Sequence, residues 1–355
     1  MKTEIFGTFG PACADKGILK EMITAGMTGM RLNLSHVTLP ASKTYIENYQ
    51  AAATECGVEP QILIDMQGPE LRVGDLAESL DLSEGTSVWM VPVCDYQQMS
   101  DEDDDRDRIP VPAEVIQAIE TGDEILLDDG KILVQVRACE CETNCDGEYT
   151  SGKKILVRVL RGGVLHSHKS IKVINKNIKM PVLTPHDIAN IKVAKEYGVT
   201  ALMQPFVLSA EDLRNVRQVL SEHSAEGIQI YAKIENRLGV DAIDDIVTEA
   251  DVIIIARGDL GNDMPLWELP AVQKQLEEAC KKADKPYIVV TQMLSSMETN
   301  PVPTRAEVSD IFHAVYHGAW GVMVTGETAI GKYPVQVIKY LANTSQQGLV
   351  YRATK

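Results

Sequence analysis

The chain reads Ile228-Gln229-Ile230-Tyr231-Ala232-Lys233-Ile234-Glu235-Asn236, an apolar run that ends in an ammonium and a carboxylate. Because successive side chains of a β-strand point to opposite faces, Lys233 and Glu235 are expected to project the same way. A second apolar run, Val252 to Ala256, is followed shortly by Asp259, so a second carboxylate is expected from a neighbouring strand end. Two oxygen ligands beside a lysine are typical of a divalent cation next to a phosphate.

Strand-like runs alternate with amphipathic stretches of helix length, such as Ser209 to Ser221 and Thr304 to His317. This is the order that βα units produce. The strand-like runs are Glu4 to Phe9, Gly29 to Leu34, Gln61 to Ile64, Thr200 to Pro205, Gln229 to Ile234, Val252 to Ala256, Tyr287 to Thr291 and Gly321 to Val324. The pattern predicts an α/β fold in which eight parallel strands close into a (β/α)8 TIM barrel.

About a hundred residues between the third and fourth strands lack this alternation. They contain β-like runs separated by turn signals such as Asp129-Gly130 and Gly162-Gly163. The runs are Thr86 to Val93, Ile125 to Leu127, Ile132 to Ala138 and Ile155 to Leu160. We therefore predict a small all-β domain at residues 70–170, inserted into a barrel of residues 1–69 and 171–355.

The composition excludes several classes of protein. With 34 Lys and Arg against 51 Asp and Glu, the net charge of -17 would repel a nucleic-acid backbone, so no nucleic acid is expected as a partner. Seven cysteines are odd in number and too sparse for a disulfide scaffold, which favours a reducing cytoplasm. No apolar run reaches membrane-spanning length, and the N-terminus enters a strand pattern at once. We expect a soluble cytoplasmic protein with no membrane partner.

Polar side chains follow five of the predicted strands. In a (β/α)8 barrel the active site lies at the C-terminal ends of the strands. These ends carry Arg31 to His36, Asp65, Arg72, Lys233, Glu235, Arg257, Asp259 and Thr291. A solvated polar mouth is one interpretation, yet so many charges in one place would strain each other unless ligands or metals compensated them.

One assignment accounts for this set. Glu235 and Asp259 would hold Mg²⁺, while Lys233 and Arg31 would face phosphoryl oxygens. The Thr291 hydroxyl would lie near a small carbonyl or enolate, and backbone N–H groups at the start of a helix would bind a carboxylate. The ligand described in this way is a small phosphorylated carboxylic acid.

The chain resembles the pyruvate kinase family along nearly all of its length. Ten segments match in the right order: Thr8 to Ala12, Ala25 to Met27, Arg31 to His36, Asp65 with Gly68 to Arg72, Leu127 to Gly130, Ala232 to Asn236, Ala256 to Gly261, Thr291 to Leu294, Pro303 to Glu307 and Gly326 to Ala329. The resemblance implies a TIM barrel with an inserted small β-barrel lid domain. It also implies a glycolytic phosphotransferase that converts phosphoenolpyruvate and ADP to pyruvate and ATP, with Mg²⁺ (or Mn²⁺) and K⁺ as cofactors.

The resemblance further implies roles for individual residues. The catalytic residues would be Lys233, Thr291 and Arg31. Phosphoenolpyruvate would contact Lys233, Gly258, Asp259 and Thr291, and the nucleotide would contact Arg31, His36, Arg72 and Lys169. Mg²⁺ would be held by Glu235 and Asp259, and K⁺ by Asn33, Ser35, Asp65 and Met66.

The sequence departs from the family's pattern at several points. Gln204-Pro205-Phe206 stands where Ala-Ser-Phe is usual, and Met66-Gln67 where Thr-Lys is usual. Val302 replaces an arginine, and the segment after Lys169 loses a glycine and a proline, which would change the hinge to the lid. The chain stops at Lys355, before the family's C-terminal regulatory domain. Effector control and the usual tetramer are therefore not expected, although another homo-oligomer is allowed.

Two other functions stay open. One is a catalytically weak relative that binds a phosphorylated acid through the Mg²⁺ site, an interpretation motivated by Pro205 and the altered hinge. The other is a Mg²⁺-dependent enolate lyase or decarboxylase, because Mg²⁺ on two strand-end carboxylates serves enolates generally. In that case Arg72 and Lys169 would have no nucleotide to bind.

Overall fold

The computed structural model describes residues 2–35, 37–69, 71–96, 106–128, 130–140, 154–174, 176, 178 and 180–355, with position 140 described by its backbone alone. Contacts divide the chain into two compact units, Met1–Pro69 with Val182–Lys355, and Glu70–Pro181. Among the described residues, no helix is both long and apolar enough to cross a membrane.

The strands and helices follow one another along the chain with short connections. The strands are β1 (Glu4–Thr8), β2 (Gly29–Asn33), β3 (Gln61–Asp65), β4 (Leu80–Leu82), β5 (Ser87–Pro92), β6 (Arg108–Val111), β7 (Glu124–Leu127), β8 (Ile132–Glu140), β9 (Lys154–Arg161), β10 (Gly163–Leu165), β11 (Ile171–Val173), β12 (Ala201–Gln204), β13 (Gln229–Ile234), β14 (Val252–Ala256), β15 (Tyr287–Val290) and β16 (Gly321–Met323). The helices are α1 (Lys16–Thr24), α2 (Lys43–Cys56), α3 (Val93–Tyr96), α4 (Ala113–Ala118), α5 (Pro185–Ala194), α6 (Ala210–Glu222), α7 (Arg237–Asp241), α8 (Ile243–Glu249), α9 (Arg257–Asp263), α10 (Leu269–Lys282), α11 (Arg305–Tyr316), α12 (Gly326–Ala329) and α13 (Pro334–Ala353).

Eight parallel strands of the first unit close into a barrel in the order β1-β16-β15-β14-β13-β12-β3-β2. Each lies within one residue of the ends that the sequence predicts. Several helices begin at capping boxes; at α6, for example, the Ser209 hydroxyl accepts the Asp212 N–H and the Asp212 carboxylate accepts the Ser209 N–H. The structure confirms the predicted α/β fold with a TIM barrel.

The barrel strands are apolar on both faces, because one face fills the barrel and the other packs under the helices. The inner layer consists of Phe6, Leu63, Ala201, Met203, Tyr231, Val252, Ile254, Ala256, Ile288, Val290 and Met323. Side chains two residues apart share a face of a strand. Since Leu63 and Tyr231 point inward, Asp65 and Lys233 also point inward, one step closer to the carboxyl ends of their strands.

The second unit has its own sheets and its own core. A six-stranded sheet has the order β11-β7-β8-β9-β5-β6, and β10 pairs with β4 in a two-stranded sheet. Buried side chains such as Met90, Ile109 and Val157 form a separate apolar cluster. Strand β11 pairs antiparallel with β7, so residues 171–181 group with this unit, whereas the sequence prediction resumed the barrel at residue 171. Asp129, a predicted turn residue, lies outside the described residues.

Candidate active site

Four charged side chains meet at the carboxyl ends of the barrel strands. Arg31 on β2 donates to Asp65 Oδ2 on β3 through Nε at 2.7 Å, with its Nη2 at 2.6 Å from the same oxygen. Lys233 Nζ on β13 lies 3.2 Å from Asp65 Oδ1 and 2.9 Å from Glu235 Oε1. The structure thus brings Lys233 and Glu235 together on one face. It joins them to Asp65 on β3 and Arg31 on β2, which lie beyond β12 in the barrel.

Burial and charge act against each other in this cluster. The exposed fraction of the side chain is 3% for Asp65, 14% for Lys233 and 1% for Glu235. Burial alone would raise the pKa of Asp65, but the charges of Lys233 and Arg31 outweigh it and hold that pKa below its usual value. Burial would lower the pKa of Lys233, and its two carboxylate neighbours reverse the sign of the shift. At neutral pH Asp65 is therefore an anion and Lys233 a cation.

Glu235 lies between a cation and a second carboxylate. Burial raises the pKa of Glu235 to about 7; Lys233 opposes this rise, and the charge of Asp259 reinforces it. Glu235 Oε2 accepts a hydrogen bond of 2.8 Å from the backbone N–H of Phe206. Because the two carboxylates repel each other, a cation bound between them would be stabilised.

Asp259 lies in the first turn of α9, which begins directly after β14. Its side chain is exposed, in contrast to that of Glu235. Within the described part of the chain, no group of three His, Cys, Asp or Glu side chains could enclose a metal ion. Mg²⁺ does not need such a group, because it commonly binds through one or two carboxylates and takes its other ligands from water and substrate phosphate. The donor set of Glu235 and Asp259 therefore fits Mg²⁺.

The backbone turns sharply after β15. Thr291 and Gln292 have φ angles of 78° and 55°, a region that non-glycine residues rarely adopt and β-branched residues adopt least of all. Arg257 holds this turn, since its Nη2 and Nε donate to the Thr291 carbonyl at 2.7 and 3.2 Å, and its Nη1 lies 2.7 Å from Asp310 Oδ2. A Cβ at Gly258 would lie 3.0 Å from the Thr291 methyl carbon. The absence of a side chain at Gly258 therefore lets Thr291 lie beside the first turn of α9.

The residues predicted to bind K⁺ lie at the ends of two adjacent strands. Asn33 is opposite Asp65 in the register of β2 and β3, and its side-chain oxygen accepts the N–H of Ser35 at 3.1 Å. Met66 is buried, and its N–H donates to a carbonyl of β12 at 3.1 Å. These residues carry carboxylate, amide, hydroxyl and backbone oxygens, the ligand types that hard cations prefer.

Two of the predicted nucleotide contacts belong to the second unit. Arg72 Nη1 donates to the His168 carbonyl at 2.7 Å, and Lys169 Nζ lies 2.9 Å from Asp128 Oδ1. The hydrogen bond from Lys169 helps to hold the pKa of Asp128 below its usual value. A third predicted contact, His36, lies outside the described residues.

Two groups that hold the site in place were not predicted from the sequence. The first is the N–H of Phe206, which contacts Glu235. Phe206 has φ of 51°, and the sequence does not indicate a positive φ at a residue other than glycine. Asp310, the partner of Arg257, had a signal in the sequence. The capping box of Thr304 and Glu307 marks the start of α11. Asp310 follows Glu307 by three residues, so the two side chains lie on the same face of the helix, one turn apart.

Comparison with known proteins gives a consistent result. A protein-family model described as "Pyruvate kinase, barrel domain" matches residues 1–338. The chain is 37% identical over 356 residues to a pyruvate kinase of Geobacillus stearothermophilus, an alignment that covers 99% of this chain and 58% of that protein. It is 38% identical over 354 residues to a pyruvate kinase of Thermococcus litoralis, covering 99% of this chain and 70% of that protein. For a pyruvate kinase of Bacillus licheniformis the identity is 36% over 348 residues, covering 98% and 57%. The chain thus spans under two thirds of the length of two of these relatives.

Proposed function

Because the chain belongs to the pyruvate kinase family, we propose that it transfers the phosphoryl group of phosphoenolpyruvate to ADP and so produces pyruvate and ATP. The observation that carries this proposal is the convergence of Lys233, Glu235, Asp65 and Arg31 at the barrel mouth. Phosphoryl transfer needs little covalent help from a protein, since positioning and positive charge around the transferring oxygens supply most of the catalysis. A largely enclosed lysine that keeps its charge, as Lys233 does, is suited to that task.

Lys233 and Arg31 have complementary parts in this reaction. Asp65 contacts both cations and fixes the orientation of their side chains. Substrate binding therefore does not have to order either side chain. We assign Lys233 to the oxygens of the transferring phosphoryl group and Arg31 to phosphate oxygens beside it. A Mg²⁺ ion (or Mn²⁺) held by Glu235 and Asp259 would supply further positive charge there.

The carboxylate and enolate of the substrate call for different groups. We propose that backbone N–H groups at Gly258 and Asp259, in the first turn of α9, bind the carboxylate of phosphoenolpyruvate. After transfer, the enolate must take up a proton at carbon, and Thr291 is held beside the same turn. We assign the Thr291 hydroxyl to orienting the proton donor.

Further contacts complete the proposal. Asn33, Ser35, Asp65 and Met66 are assigned to K⁺, whose charge would offset that of the phosphates. Arg72, Lys169 and His36 are assigned to nucleotide phosphates, with ADP as the second substrate. Arginine and lysine suit this use, since both donate charge-assisted hydrogen bonds to phosphate oxygens.

A coupled assay with phosphoenolpyruvate, ADP, Mg²⁺ and K⁺ tests the proposal. The natural chain should form pyruvate, and Lys233→Met should lower kcat by about 10² to 10³-fold, the effect of removing one group that stabilises transition-state charge. Lys195→Met, a change at an exposed lysine after α5, is the matched control and should leave kcat unchanged.

Other results would favour other functions. Binding of phosphoenolpyruvate with no pyruvate above the Lys233→Met level would favour a weak, binding-only relative. Exchange of the methyl protons of pyruvate without ADP, and without ATP formation from phosphoenolpyruvate, would favour enolate chemistry.

A further inference from the structure

Pro205 is buried and directly follows the last residue of β12. Ala201 and Met203 of β12 belong to the inner layer, and the same alternation continued by two residues places Pro205 on that side. The ladder between β12 and β13 ends at Gln204, so the missing N–H of proline removes no strand hydrogen bond. Proline is therefore compatible with the hydrogen bonds between the barrel strands at this position.

The ring of Pro205 rests on the bare backbone of Gly68. A Cβ at Gly68 would lie 2.2 Å from Pro205 Cγ, a separation that real atoms do not adopt, and Gly68 has φ of 63°. Glycine is thus required at position 68 both by its backbone conformation and by the proline ring. The two residues form one close contact between the ends of β3 and β12.

The backbone under the ring is itself held in place. The N–H groups of Gln67 and Gly68 donate to the two oxygens of Asp187 at 2.8 and 3.1 Å. Asp187 is fully buried and also accepts the N–H of Thr184 at 2.8 Å, as part of the capping box of α5. The surface on which the ring of Pro205 packs is therefore tied to a helix end.

The residue after the proline contacts the proposed metal ligand. Phe206 has φ of 51°, and its N–H donates to Glu235 Oε2 at 2.8 Å. The other oxygen, Oε1, lies 2.9 Å from Lys233 Nζ. One carboxylate oxygen is thus oriented by a side chain, and the other by a backbone turn that begins at Pro205.

We infer that Pro205 is a positioning residue that holds Glu235 in the orientation needed for a divalent cation. The proline has a restricted φ and a ring seated on Gly68, and both features keep the Phe206 turn formed before the cation arrives. This inference rests on the proposed function in one respect, namely that Glu235 is a metal ligand. The inference predicts that replacing Pro205 changes the affinity for the metal ion. If Pro205 only filled space, its replacement would change the stability of the fold and nothing else.

Direct binding of Mn²⁺, followed through the electron paramagnetic resonance signal of the free ion, tests the inference without any turnover. Pro205→Ala should weaken Mn²⁺ binding by about two- to fivefold, because part of the binding energy must then be used to order the Phe206 turn. Hydrogen exchange at the Phe206 amide should become faster in the same variant. At saturating Mn²⁺, kcat should stay near its original value. The concentration of Mn²⁺ that gives half-maximal activity should rise instead. Pro301→Ala, at an exposed proline, should change neither quantity.

A second variant covers the case in which Pro205→Ala folds poorly. Gly68→Ala should also weaken Mn²⁺ binding, because its Cβ would displace the proline ring. In the double variant the loss should not exceed that of Gly68→Ala alone, since both changes act through one contact. Losses that simply multiply would overturn the inference, as would wild-type Mn²⁺ affinity in both single variants.

The outcomes separate this inference from the proposed function. If the chain forms no pyruvate but Pro205→Ala weakens Mn²⁺ binding, the proposed function is wrong and the inference holds. If the chain is active and Mn²⁺ affinity does not respond to either variant, the inference alone is wrong. A chain that binds no Mn²⁺, or binds it equally well as Glu235→Gln, contradicts the inference and the assignment of Glu235 as a metal ligand, and the formation of pyruvate and ATP then decides the proposed function.

Discussion

At the scale of single residues, the site depends on a few charges held out of water. Asp65 accepts from both Arg31 and Lys233, and a buried charge whose partner is removed is costly. The strand alternation was enough to predict from sequence that Lys233 and Glu235 share a face. It could not predict the hydrogen bond from the Phe206 N–H to Glu235, or those from Arg257 to the Thr291 carbonyl. Both involve backbone groups in conformations that are unusual for the residues concerned.

Replacing Asp65 by Asn should destabilise the barrel unit strongly. The change leaves the partly buried Arg31 and Lys233 with less counter-charge, and breaking a buried pair typically costs about 3 to 5 kcal/mol. Urea unfolding of Asp65→Asn at pH 7 measures this cost. Asp241→Asn, at an exposed position on α7, is the matched control and should change stability little. Equal stability of the two variants would contradict the electrostatic account of the cluster.

Replacing Gly258 by Ala should impair substrate binding more than folding. The new Cβ would lie 3.0 Å from the Thr291 methyl carbon, so Thr291 must shift away from the first turn of α9. We expect the KM for phosphoenolpyruvate to rise by about tenfold, a loss of one good contact. Steady-state kinetics checks this, with Gly227→Ala as the control because no atom lies within 4 Å of a Cβ at that glycine. An unchanged KM in Gly258→Ala would remove Thr291 from the substrate contacts.

At the scale of secondary structure, helix ends hold the loops at the barrel mouth. Glu307 in the first turn of α11 accepts from the N–H and hydroxyl of Ser296 and from those of Thr304. The eight barrel strands were predictable because long apolar runs alternate with amphipathic helices. Several short strands of the second unit, such as β4 and β10, were not predicted, since three residues carry too little pattern to identify a strand.

The cap at Glu307 should make stability depend on pH. Burial would raise the pKa of Glu307, but hydrogen bonds from Ser296 and Thr304 outweigh it, so the folded pKa lies below the usual value. A carboxylate with a lowered folded pKa stabilises the fold above its unfolded pKa of about 4.3, and this contribution is lost as pH falls through the folded value.

We expect Glu307→Gln to be less stable than the natural chain at pH 7 by about 1 kcal/mol, the usual value of a helix cap. The difference should shrink as pH falls below about 4. Urea unfolding across this range measures both, with Glu278→Gln at an exposed site on α10 as the control. A difference that stays constant with pH would show that the charge of Glu307 does not matter.

At the scale of the whole molecule, two units with separate apolar cores share one chain. The turn-rich insertion was visible in the sequence, but its return was not, because β11 is only three residues long and is identified by its pairing with β7. The excess of acidic residues in the composition also does not predict that two cations, Lys233 and Arg31, lie together at the site. Their placement depends on which side chains the fold brings together.

A segment of residues 70–181, expressed alone, should fold cooperatively. Its sheets bury a cluster of their own, and a domain of about 100 residues is large enough to sustain a core. Far-ultraviolet circular dichroism should show β structure, and urea should give a single sigmoidal transition. A gradual change with no transition would mean that this unit needs the rest of the chain in order to fold.

The central claim, phosphoryl transfer to ADP at the Lys233 cluster, is tested most directly by the stoichiometry of products. Phosphoenolpyruvate and ADP are incubated with Mg²⁺ and K⁺, and ³¹P magnetic resonance follows both phosphates while pyruvate is measured in the same sample. We predict one ATP for each pyruvate, with neither product formed at a comparable rate by Lys233→Met. Pyruvate accompanied by inorganic phosphate instead of ATP, or equal rates in the natural chain and Lys233→Met, would contradict the account.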